Sequence, residues 1–388
     1  MKIHTVNEHE TLYEIARLYG THPTKIAENN GLTDTERLTV GQKLLILPPT
    51  RTYTTKSGDT TERIAARFGV DEKRLYKFNP CLWGERRLKE NRILALCYDA
   101  PTVSDLAVNG YYYCGCTETR LREILPYLNY LTVSAAVADG ERIRRSCDGK
   151  AALREAKAQG VKCIFRICDG APYERIWERG EEYAEGVCEL ARSLGYDGLT
   201  IGYARASEHP EYESLVERYK RAAERRGLFL FAEVDGNRHY TASHSADGYI
   251  FSYEKLGENP IPSFEDGEKR AINEYAERQE STYGFLELPS LAHTDGGEID
   301  YALAAREGAR AQKKIEYDEA AMVCRYKRKT KSGEQSVVFA SLENVKARLE
   351  LCSELGFRGV SIDIMRVPTA LIMLLATSAV SPRCNPLP

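Results

Sequence analysis

The sequence predicts a multidomain protein in which two small βααβ modules precede an α/β (β/α)8 barrel. Three observations indicate this fold. The chain has 388 residues, more than one hydrophobic core usually organises. An internal repeat occupies residues 1–100, and from about Val108 short apolar runs alternate with amphipathic, charge-rich segments. We expect domain boundaries at 1–49, 50–100 and 105–388.

The repeat emerges when Thr11 is aligned with Thr60. Each copy is predicted as a short strand, a helix opened by the Thr, a helix end at a Gly, a second helix and a closing strand. Pro48-Pro49 ends the first copy, and Asp99-Ala100-Pro101 ends the second. The other aligned pairs are Ile15 with Ile64, Ala16 with Ala65, Gly20 with Gly69, Ile26 with Leu75 and Asn30 with Asn79.

Eight short apolar runs define the third domain. The segments between them, such as Glu181–Leu194 and Glu211–Arg226, suit amphipathic helices. Buried strands alternating with helices are typical of a (β/α)8 barrel, with an open doubly wound sheet as the alternative. An α+β insertion, Ile299–Phe339, is predicted before the last helix and strand. The runs are Val108–Tyr113, Leu131–Ala138, Val161–Ile167, Gly198–Ala204, Leu228–Val234, Gly248–Tyr253, Gly284–Leu288 and Gly359–Met365.

Charge and composition exclude several classes of partner. A net charge of −3 gives no electrostatic reason to expect nucleic acid or an anionic membrane surface. The best apolar run, Ala370–Val380, is too short to span a membrane. The 11 cysteines lack zinc-like paired spacings, because Cys114-Gly115-Cys116 is a single close pair. We therefore expect reduced thiols and neither a metal nor a cofactor.

Both repeats carry a recognisable motif. In the first copy it comprises Thr11-Leu12, Ile15-Ala16, Tyr19-Gly20, Ile26, Asn30-Gly31-Leu32, Leu38, Gly41-Gln42 and Leu44–Pro48, and the second copy adds Gly58-Asp59-Thr60. The two copies resemble LysM modules. That resemblance implies binding of peptidoglycan or another N-acetylglucosamine polymer, in a shallow groove between the loop before the first helix and the loop after the second.

The resemblance to LysM modules also places the glycan-binding residues. They are Glu10, Thr11, Leu12, Asn30, Gly31 and Leu32 in the first copy and Asp59, Thr60, Thr61, Asn79, Pro80 and Leu82 in the second. Whether or not they touch glycan, the Thr residues aligned above are expected to cap helices and the Asn residues to end them. The second copy departs from the motif, since Glu90-Asn91 replaces Gly-Gln.

The third domain resembles the family 18 glycoside hydrolases, which have a chitinase-type TIM barrel. In particular it is similar to the LysM-bearing N-acetylglucosaminidases that degrade spore cortex during germination. The stretches that carry this resemblance are Gly195-Tyr196-Asp197-Gly198, Phe251-Ser252-Tyr253-Glu254, Ile315-Glu316-Tyr317-Asp318-Glu319-Ala320, Val338-Phe339 and Gly356-Phe357-Arg358-Gly359-Val360-Ser361.

The family's catalytic motif is degenerate here. In the family, the fourth strand carries Asp-Gly-x-x-x-Asp-x-Glu, where the Glu protonates the glycosidic oxygen and the preceding Asp orients the attacking acetamide of the substrate. At those two positions this chain has Gly202 and Ala204, neither of which can hold a proton. The residual site implied by the resemblance consists of Asp197, Tyr253 and Asp363, the last standing where the family commonly has a Trp.

A relocated carboxylate is the alternative source of a general acid. Barrel sites form at the carboxyl ends of the strands, where this sequence is rich in acids. Glu208, which follows strand four, and Glu254, which follows strand six, are the candidates. The full set of strand-end acids is Asp139, Asp169, Glu208, Glu233, Asp235, Glu254, Glu287 and Asp363.

Three functions follow from these patterns. The first is a glycan-binding pseudoenzyme of the spore envelope or cortex, with spore coat proteins as further partners and no nucleic acid. The second is an active spore cortex-lytic N-acetylglucosaminidase, or another glycosidase, using a relocated carboxylate. The third is a barrel that binds an unrelated small molecule. Because residues 1–6 show no signal-peptide apolar region, we expect synthesis in the cytoplasm and assembly onto the spore coat or cortex.

Overall fold

The fold is known from a computed structural model that describes most of the chain. All structural statements below concern the described residues. These are 1–35, 37–82, 88–98, 106–113, 115–138, 143–147, 149–169, 177–202, 209–235, 245–253, 261–277, 284–310, 314–331 and 333–377.

Each of the first two modules packs two helices on a two-stranded antiparallel sheet, as predicted. The first comprises β1 (Lys2–Thr5), α1 (Leu12–Leu18), α2 (Pro23–Asn30) and β2 (Lys43–Ile46). The second comprises β3 (Arg51–Thr54), α3 (Thr61–Phe68), α4 (Glu72–Phe78), a 3-10 turn (Pro80–Leu82) and β4 (Ile93–Cys97).

The aligned threonines cap the first helix of each module. The Thr11 hydroxyl accepts a hydrogen bond from the Glu14 backbone N–H at 3.2 Å, and the Glu14 carboxylate accepts one from the Thr11 N–H at 2.9 Å. This reciprocal pair is a capping box. In the second module, the Thr60 hydroxyl accepts from the Arg63 N–H at 3.3 Å. The helix α3 then ends at Gly69, whose φ of +65° favours glycine. The predicted caps are confirmed.

The third domain begins at Ala107. In chain order its elements are β5 (Ala107–Tyr112), α5 (Glu118–Ile124), a 3-10 turn (Leu125–Tyr127), β6 (Tyr130–Ala138), β7 (Ile143–Arg145), α6 (Lys150–Ala158), β8 (Lys162–Asp169), α7 (Gly180–Ser193), β9 (Gly198–Gly202), α8 (Tyr212–Glu224), β10 (Phe229–Asp235), β11 (Gly248–Ser252), a π-helical turn (Glu265–Lys269), α9 (Arg270–Glu277), β12 (Gly284–Glu287), β13 (Leu291–Thr294), β14 (Gly297–Asp300), α10 (Tyr301–Gly308), β15 (Glu316–Asp318), β16 (Val323–Thr330), β17 (Gly333–Ala340), α11 (Leu342–Glu354), β18 (Gly359–Asp363) and α12 (Thr369–Thr377).

Eight of these strands form a closed parallel barrel. Their order around it is β5, β18, β12, β11, β10, β9, β8 and β6, and pairing of β5 with β6 closes the ring. The predicted TIM barrel is confirmed. The alternative, an open doubly wound sheet, is wrong because in an open sheet β5 and β6 would not pair with each other. The short β7 adds an antiparallel edge on β6.

The predicted insertion is confirmed as a five-stranded antiparallel sheet with one helix, but its start is wrong. The sheet has the order β14, β13, β17, β16, β15 and spans residues 291–340, so it begins before the predicted Ile299. The missed strand β13 has only four residues and follows barrel strand β12 almost directly. Such a short strand carries too little alternation to be read from sequence.

The barrel interior is apolar at its base and polar above. Ile164, Phe231, Ile250 and Phe285 form a buried cluster inside the strands. Because inward positions alternate along each strand, the next inward residues toward the carboxyl ends are two positions further on. On β8 this next position is Arg166, which stands closer to the mouth than Ile164.

The first module is fixed against the barrel insertion by close backbone contacts. The Thr39 hydroxyl donates to the Ala309 carbonyl at 2.9 Å, and the Ile315 N–H donates to the Val40 carbonyl at 2.8 Å. A Cβ on Gly41 would lie 1.9 Å from the Ile315 carbonyl oxygen, so only glycine permits this approach. The first module and the insertion of the third domain are therefore in direct contact.

Membrane insertion finds no support in the helices. Within the described ranges, no helix combines the length and apolar character that a membrane crossing requires.

Candidate functional site

The predicted groove of the first module opens into a large cleft. Five of its six predicted residues line this cleft, which has a volume of about 1360 Å³. They are Glu10, Thr11, Asn30, Gly31 and Leu32.

The opposite wall of the cleft belongs to the third domain. Helix α10, the residues after it, and residues 365–370, which comprise part of the loop after β18 and the start of α12, face the module. A Cβ on Gly31 would lie 2.7 Å from the Thr369 hydroxyl oxygen. Gly31 also has a φ of +63°, so both the conformation and the space demand glycine. The cleft is thus composite, a feature that the sequence did not indicate.

The Glu10 carboxylate lines the cleft and is held in place by neighbouring groups. Its oxygen accepts from the Asn7 backbone N–H at 2.8 Å and lies 2.8 Å from His4 Nε2. Burial alone would raise the pKa of Glu10, but these hydrogen bonds outweigh burial and hold the pKa below its ordinary value. The carboxylate is therefore ionised and positioned to accept hydrogen bonds.

In each module, the aligned asparagine joins the second helix to the closing strand through hydrogen bonds. The Asn30 amide nitrogen donates to the carbonyls of Ile26 and Leu45, and its oxygen accepts from the Leu45 N–H, all at 2.8 Å. Asn79 makes the equivalent three bonds in its module, two of them to Ala95. These side chains satisfy backbone groups of the module, so glycan contact by their amides would break these bonds.

Three predicted groove residues turn inward. Leu12 is 4% exposed, Asn79 0% and Leu82 1%, and all three lie in module interiors. Their side chains therefore support the groove from beneath. Pro80 is half-buried.

The loop before α3 keeps polar groups at the surface of the second module. The Asp59 carboxylate accepts from the Lys56 N–H at 2.7 Å and from the Tyr53 hydroxyl at 2.8 Å. The backbone hydrogen bond from Lys56 holds the pKa of Asp59 below its ordinary value. Thr60 is exposed, and the half-buried Thr61 donates to a neighbouring carboxylate at 2.6 Å.

A guanidinium fills the space at Gly202, which the sequence resemblance aligned with an acetamide-orienting Asp. A Cβ there would lie 2.7 Å from Arg166 Nη2. Arg166 in turn holds Glu233 by two hydrogen bonds, Nε to Oε1 at 2.5 Å and Nη2 to Oε2 at 2.6 Å. The Tyr111 hydroxyl donates to the same Glu233 Oε1 at 2.9 Å. Four strands, β5, β8, β9 and β10, thus converge on one closed polar cluster.

This cluster offers no free acid or base. Burial opposes the charge of Arg166, but Glu233 outweighs burial and sets the pKa of Arg166 well above its ordinary value. Burial also raises the pKa of Tyr111 well above its ordinary value, so the phenol keeps its proton. The opposite charges of Arg166 and Glu233 compensate each other within bidentate geometry. The arrangement suits a structural role, because the Tyr111 and Arg166 protons are engaged in hydrogen bonds to Glu233.

Asp363, at the carboxyl end of β18, is mostly engaged by its own turn. Its Oδ1 accepts from the backbone N–H groups of Met365 at 3.0 Å and Arg366 at 3.2 Å. The Arg366 guanidinium lies 3.4 Å from its other oxygen. Burial raises the pKa of Asp363 despite these contacts.

The structure separates the three residues of the implied residual site. Tyr253 follows β11 and is buried at the same carboxyl edge of the barrel as Asp363. Asp197 instead precedes β9, where its carboxylate accepts from the Cys163 N–H at 2.9 Å. It therefore joins two strands at the amino edge, the end opposite to the barrel mouth, and does not fit a site there.

Several predicted positions lie outside the described residues. They are Ala204, Glu208 and Glu254. Conversely, sequence reasoning missed Arg166. The available signal was a single charged residue within the otherwise apolar stretch Cys163–Cys168, in phase with the inward-facing Ile164.

Two tandem βααβ modules ahead of a closed parallel barrel define the class: a modular protein with a TIM barrel. Residues 4–47 and 53–95 match the LysM domain model, so the chain contains two LysM domains. Among curated proteins, none matches the sequence.

Solved structures resemble the whole chain. The spore cortex-lytic enzyme SleL of Bacillus cereus has a TM-score of 0.72 at 18% identity, covering 97% of both chains. The SleL enzyme of Bacillus megaterium has a TM-score of 0.70 at 15% identity, covering 98% of this chain and 99% of its own. The chitinase-like agglutinin of Robinia pseudoacacia has a TM-score of 0.58 at 16% identity, covering 70% of this chain and 99% of its own. At such identities, the likeness shows the fold alone.

Proposed function

We propose that this protein binds N-acetylglucosamine-containing cell-wall polysaccharide through its LysM domains, and that its barrel does not hydrolyse the glycan. One observation supports the second part: the Arg166 guanidinium, bound to Glu233, fills the space at Gly202, which the sequence resemblance aligned with a catalytic carboxylate. The acid position is Ala204. Loss of a general acid alone lowers a rate by about 10²–10⁴.

Binding is supported by the surface chemistry of the modules. Ionised Glu10 and Asp59 are held in place, and neighbouring hydroxyls lie at or near the surface of the same loops. Such fixed acceptors suit the hydroxyl and acetamido groups of a sugar. Each groove is shallow, and two tandem sites raise the effective concentration of the second binding event.

The comparisons support a place at a bacterial wall. Two structures that match nearly the whole chain are named spore cortex-lytic enzymes, and a barrel of the same fold occurs in a protein named an agglutinin. We propose association with the spore envelope or cortex, with coat proteins as further partners. The domains proposed for this arrangement are 1–49, 50–100 and 105–388.

Co-sedimentation tests the binding proposal. The full-length protein is mixed with insoluble peptidoglycan and centrifuged, with soluble N-acetylchitohexaose as competitor and cellohexaose as a control that lacks acetamido groups. We expect the protein in the pellet, released by the acetylated hexasaccharide alone. Protein that stays in the supernatant, or that both sugars release equally, would contradict acetamido-specific binding.

A second candidate function, glycosidase activity with a relocated carboxylate, is favoured by one observation. Burial raises the pKa of Asp363, as a general acid requires. Reducing-end release from peptidoglycan by the wild type that disappears in Asp363→Asn would establish this activity. Glu208→Gln and Glu254→Gln test the two candidates of the sequence in the same assay. No release by the wild type removes this function.

A further inference from the structure

The composite cleft carries a charge imbalance. Of the residues that the structure describes, five Arg or Lys side chains and two acids line it. The cations are Arg37, Lys43, Arg120, Arg306 and Arg310, and the acids are Glu10 and Asp34. The whole chain has a net charge of −3, so this excess of positive charge is local.

Two of the five cations are already neutralised by acids outside the lining. Lys43 pairs with Glu343 at 2.7 Å, and Arg120 pairs with Glu123 at 3.2 Å. The other three are different.

Three exposed arginines remain available to a ligand. Among the described residues, no carboxylate pairs with Arg37, Arg306 or Arg310. The Arg310 guanidinium donates to the Thr33 hydroxyl at 2.8 Å. That hydroxyl belongs to the loop after α2, so the contact puts the cation beside the groove of the first LysM domain.

Two of these charges lie on the wall that faces the module. Arg306 is on α10, and Arg310 lies four residues further on. Because the Ala309 N–H still donates to the Ala305 carbonyl, the helical turn continues past Gly308 and the two arginines lie on one side of it. Arg37 comes from the module itself. A volume of about 1360 Å³ exceeds the usual range for a small-molecule pocket and leaves room for several sugar rings.

We propose that this cleft selects an N-acetylated hexosamine chain that carries carboxylates. An acetamido sugar occupies the LysM groove, and a carboxylate on the neighbouring sugar is bound by Arg306 and Arg310 of the barrel domain. Arginine is suited to this role because its planar fork matches a carboxylate. The inference rests on the proposed function, in that the first LysM domain must bind the acetamido sugar.

Calorimetric titration of the full-length protein with three tetrasaccharides tests the proposal. The first is neutral N-acetylchitotetraose. The second is the same chain with lactyl ethers on alternate sugars, each bearing a free carboxylate, and the third has those carboxylates converted to amides. We expect the carboxylated sugar to bind about tenfold tighter than its amide at low salt, with the preference shrinking at high salt because exposed ion pairs are screened.

Arginine variants locate the preference. Arg306→Gln alone, which breaks no side-chain hydrogen bond or ion pair among the described residues, should reduce the preference severalfold. Arg306→Gln with Arg310→Gln should abolish it while leaving chitotetraose binding unchanged. The matched control is Arg154→Gln with Arg192→Gln, two exposed arginines of other barrel helices that do not line the cleft. This control should keep the full preference.

The two ways of failing are distinguishable. If chitotetraose does not bind the wild type, the proposed LysM function fails. If it binds but the carboxylated sugar binds no tighter than its amide, the cleft inference is overturned while the proposed function stands. A preference that survives in the double variant, or that disappears in the control, also overturns the inference.

Discussion

Replacing Gly202 by alanine adds one methyl group where the Arg166 guanidinium now lies. The new carbon would stand 2.7 Å from Nη2, 2.8 Å from Cζ and 2.9 Å from Nε of Arg166. Non-bonded carbon and nitrogen atoms normally stay about 3.5 Å apart, so the guanidinium must move by roughly 0.8 Å. Any such movement lengthens its bonds of 2.5 Å and 2.6 Å to Glu233.

The loss of unfolding free energy expected for Gly202→Ala can be bracketed by two known effects. Overpacking a well-filled site costs about 1–3 kcal/mol. Removing one partner of a buried ion pair costs about 3–5 kcal/mol, but here the pair is displaced and the side chains keep 21% and 10% exposure. We therefore expect Gly202→Ala to lower the free energy of unfolding by about 2 kcal/mol.

Urea unfolding followed by circular dichroism measures this cost, and a second background isolates its cause. With Arg166→Met and Glu233→Gln, the guanidinium and its carboxylate are gone, and the same methyl group should cost less than about 0.5 kcal/mol. A Gly202→Ala protein that unfolds at the wild-type urea concentration would refute the reasoning. So would an equal loss in both backgrounds.

The same geometry governs any attempt to restore catalysis. Gly202→Asp with Ala204→Glu places the new aspartate against Arg166, which would bind it as a counterion. We expect no hydrolysis of chitooligosaccharides from this double variant. Revival by these two changes alone would show that the guanidinium does not block the site.

The remaining predictions concern the LysM domains in the full-length protein. Asn79→Ala should lower the free energy of unfolding by about 2–3 kcal/mol, because it leaves buried backbone groups without hydrogen-bond partners. Asn30→Ala should lower it less, because Asn30 is only half-buried. Urea midpoints of the two variants test this order, and equal or reversed midpoints would contradict it. The pKa values of Glu10 and Asp59 are lowered in the folded state, so their stabilisation is present above the ordinary values of 4.5 and 3.8 and is lost as pH falls through the folded pKa values. Between pH 6 and pH 3, the urea midpoint should therefore fall less steeply in the double variant Glu10→Gln, Asp59→Asn than in the wild type. Midpoints measured at pH 6, 4 and 3 that fall in parallel for the two proteins would contradict this prediction.

Local features of the fold were predictable because local chemistry sets them. Thr11 and Thr60 cap their helices through hydrogen bonds to residues three positions away. The eight barrel strands were visible as apolar runs because their residues are buried in the barrel. The short β13 was missed because four residues carry no readable period.

The candidate sites depended on contacts that sequence spacing does not reveal. Arg166 and Glu233 are 67 positions apart, and the local sequence around either residue does not indicate that the two form an ion pair. The composite cleft depends on Thr39 meeting Ala309, 270 positions away. Residue types indicated that Gly202 cannot perform catalysis, but only the fold shows what fills its place.

The most direct test of the account follows binding and hydrolysis in one sample. Full-length protein is incubated with insoluble peptidoglycan, the bound fraction is measured by sedimentation, and reducing ends are counted in the supernatant and pellet over time. A chitinase with an intact catalytic motif provides the positive control. We expect that most of the protein pellets and that reducing ends do not rise above the protein-free control. Reducing ends that increase in proportion to bound protein, or protein that fails to bind, would contradict it.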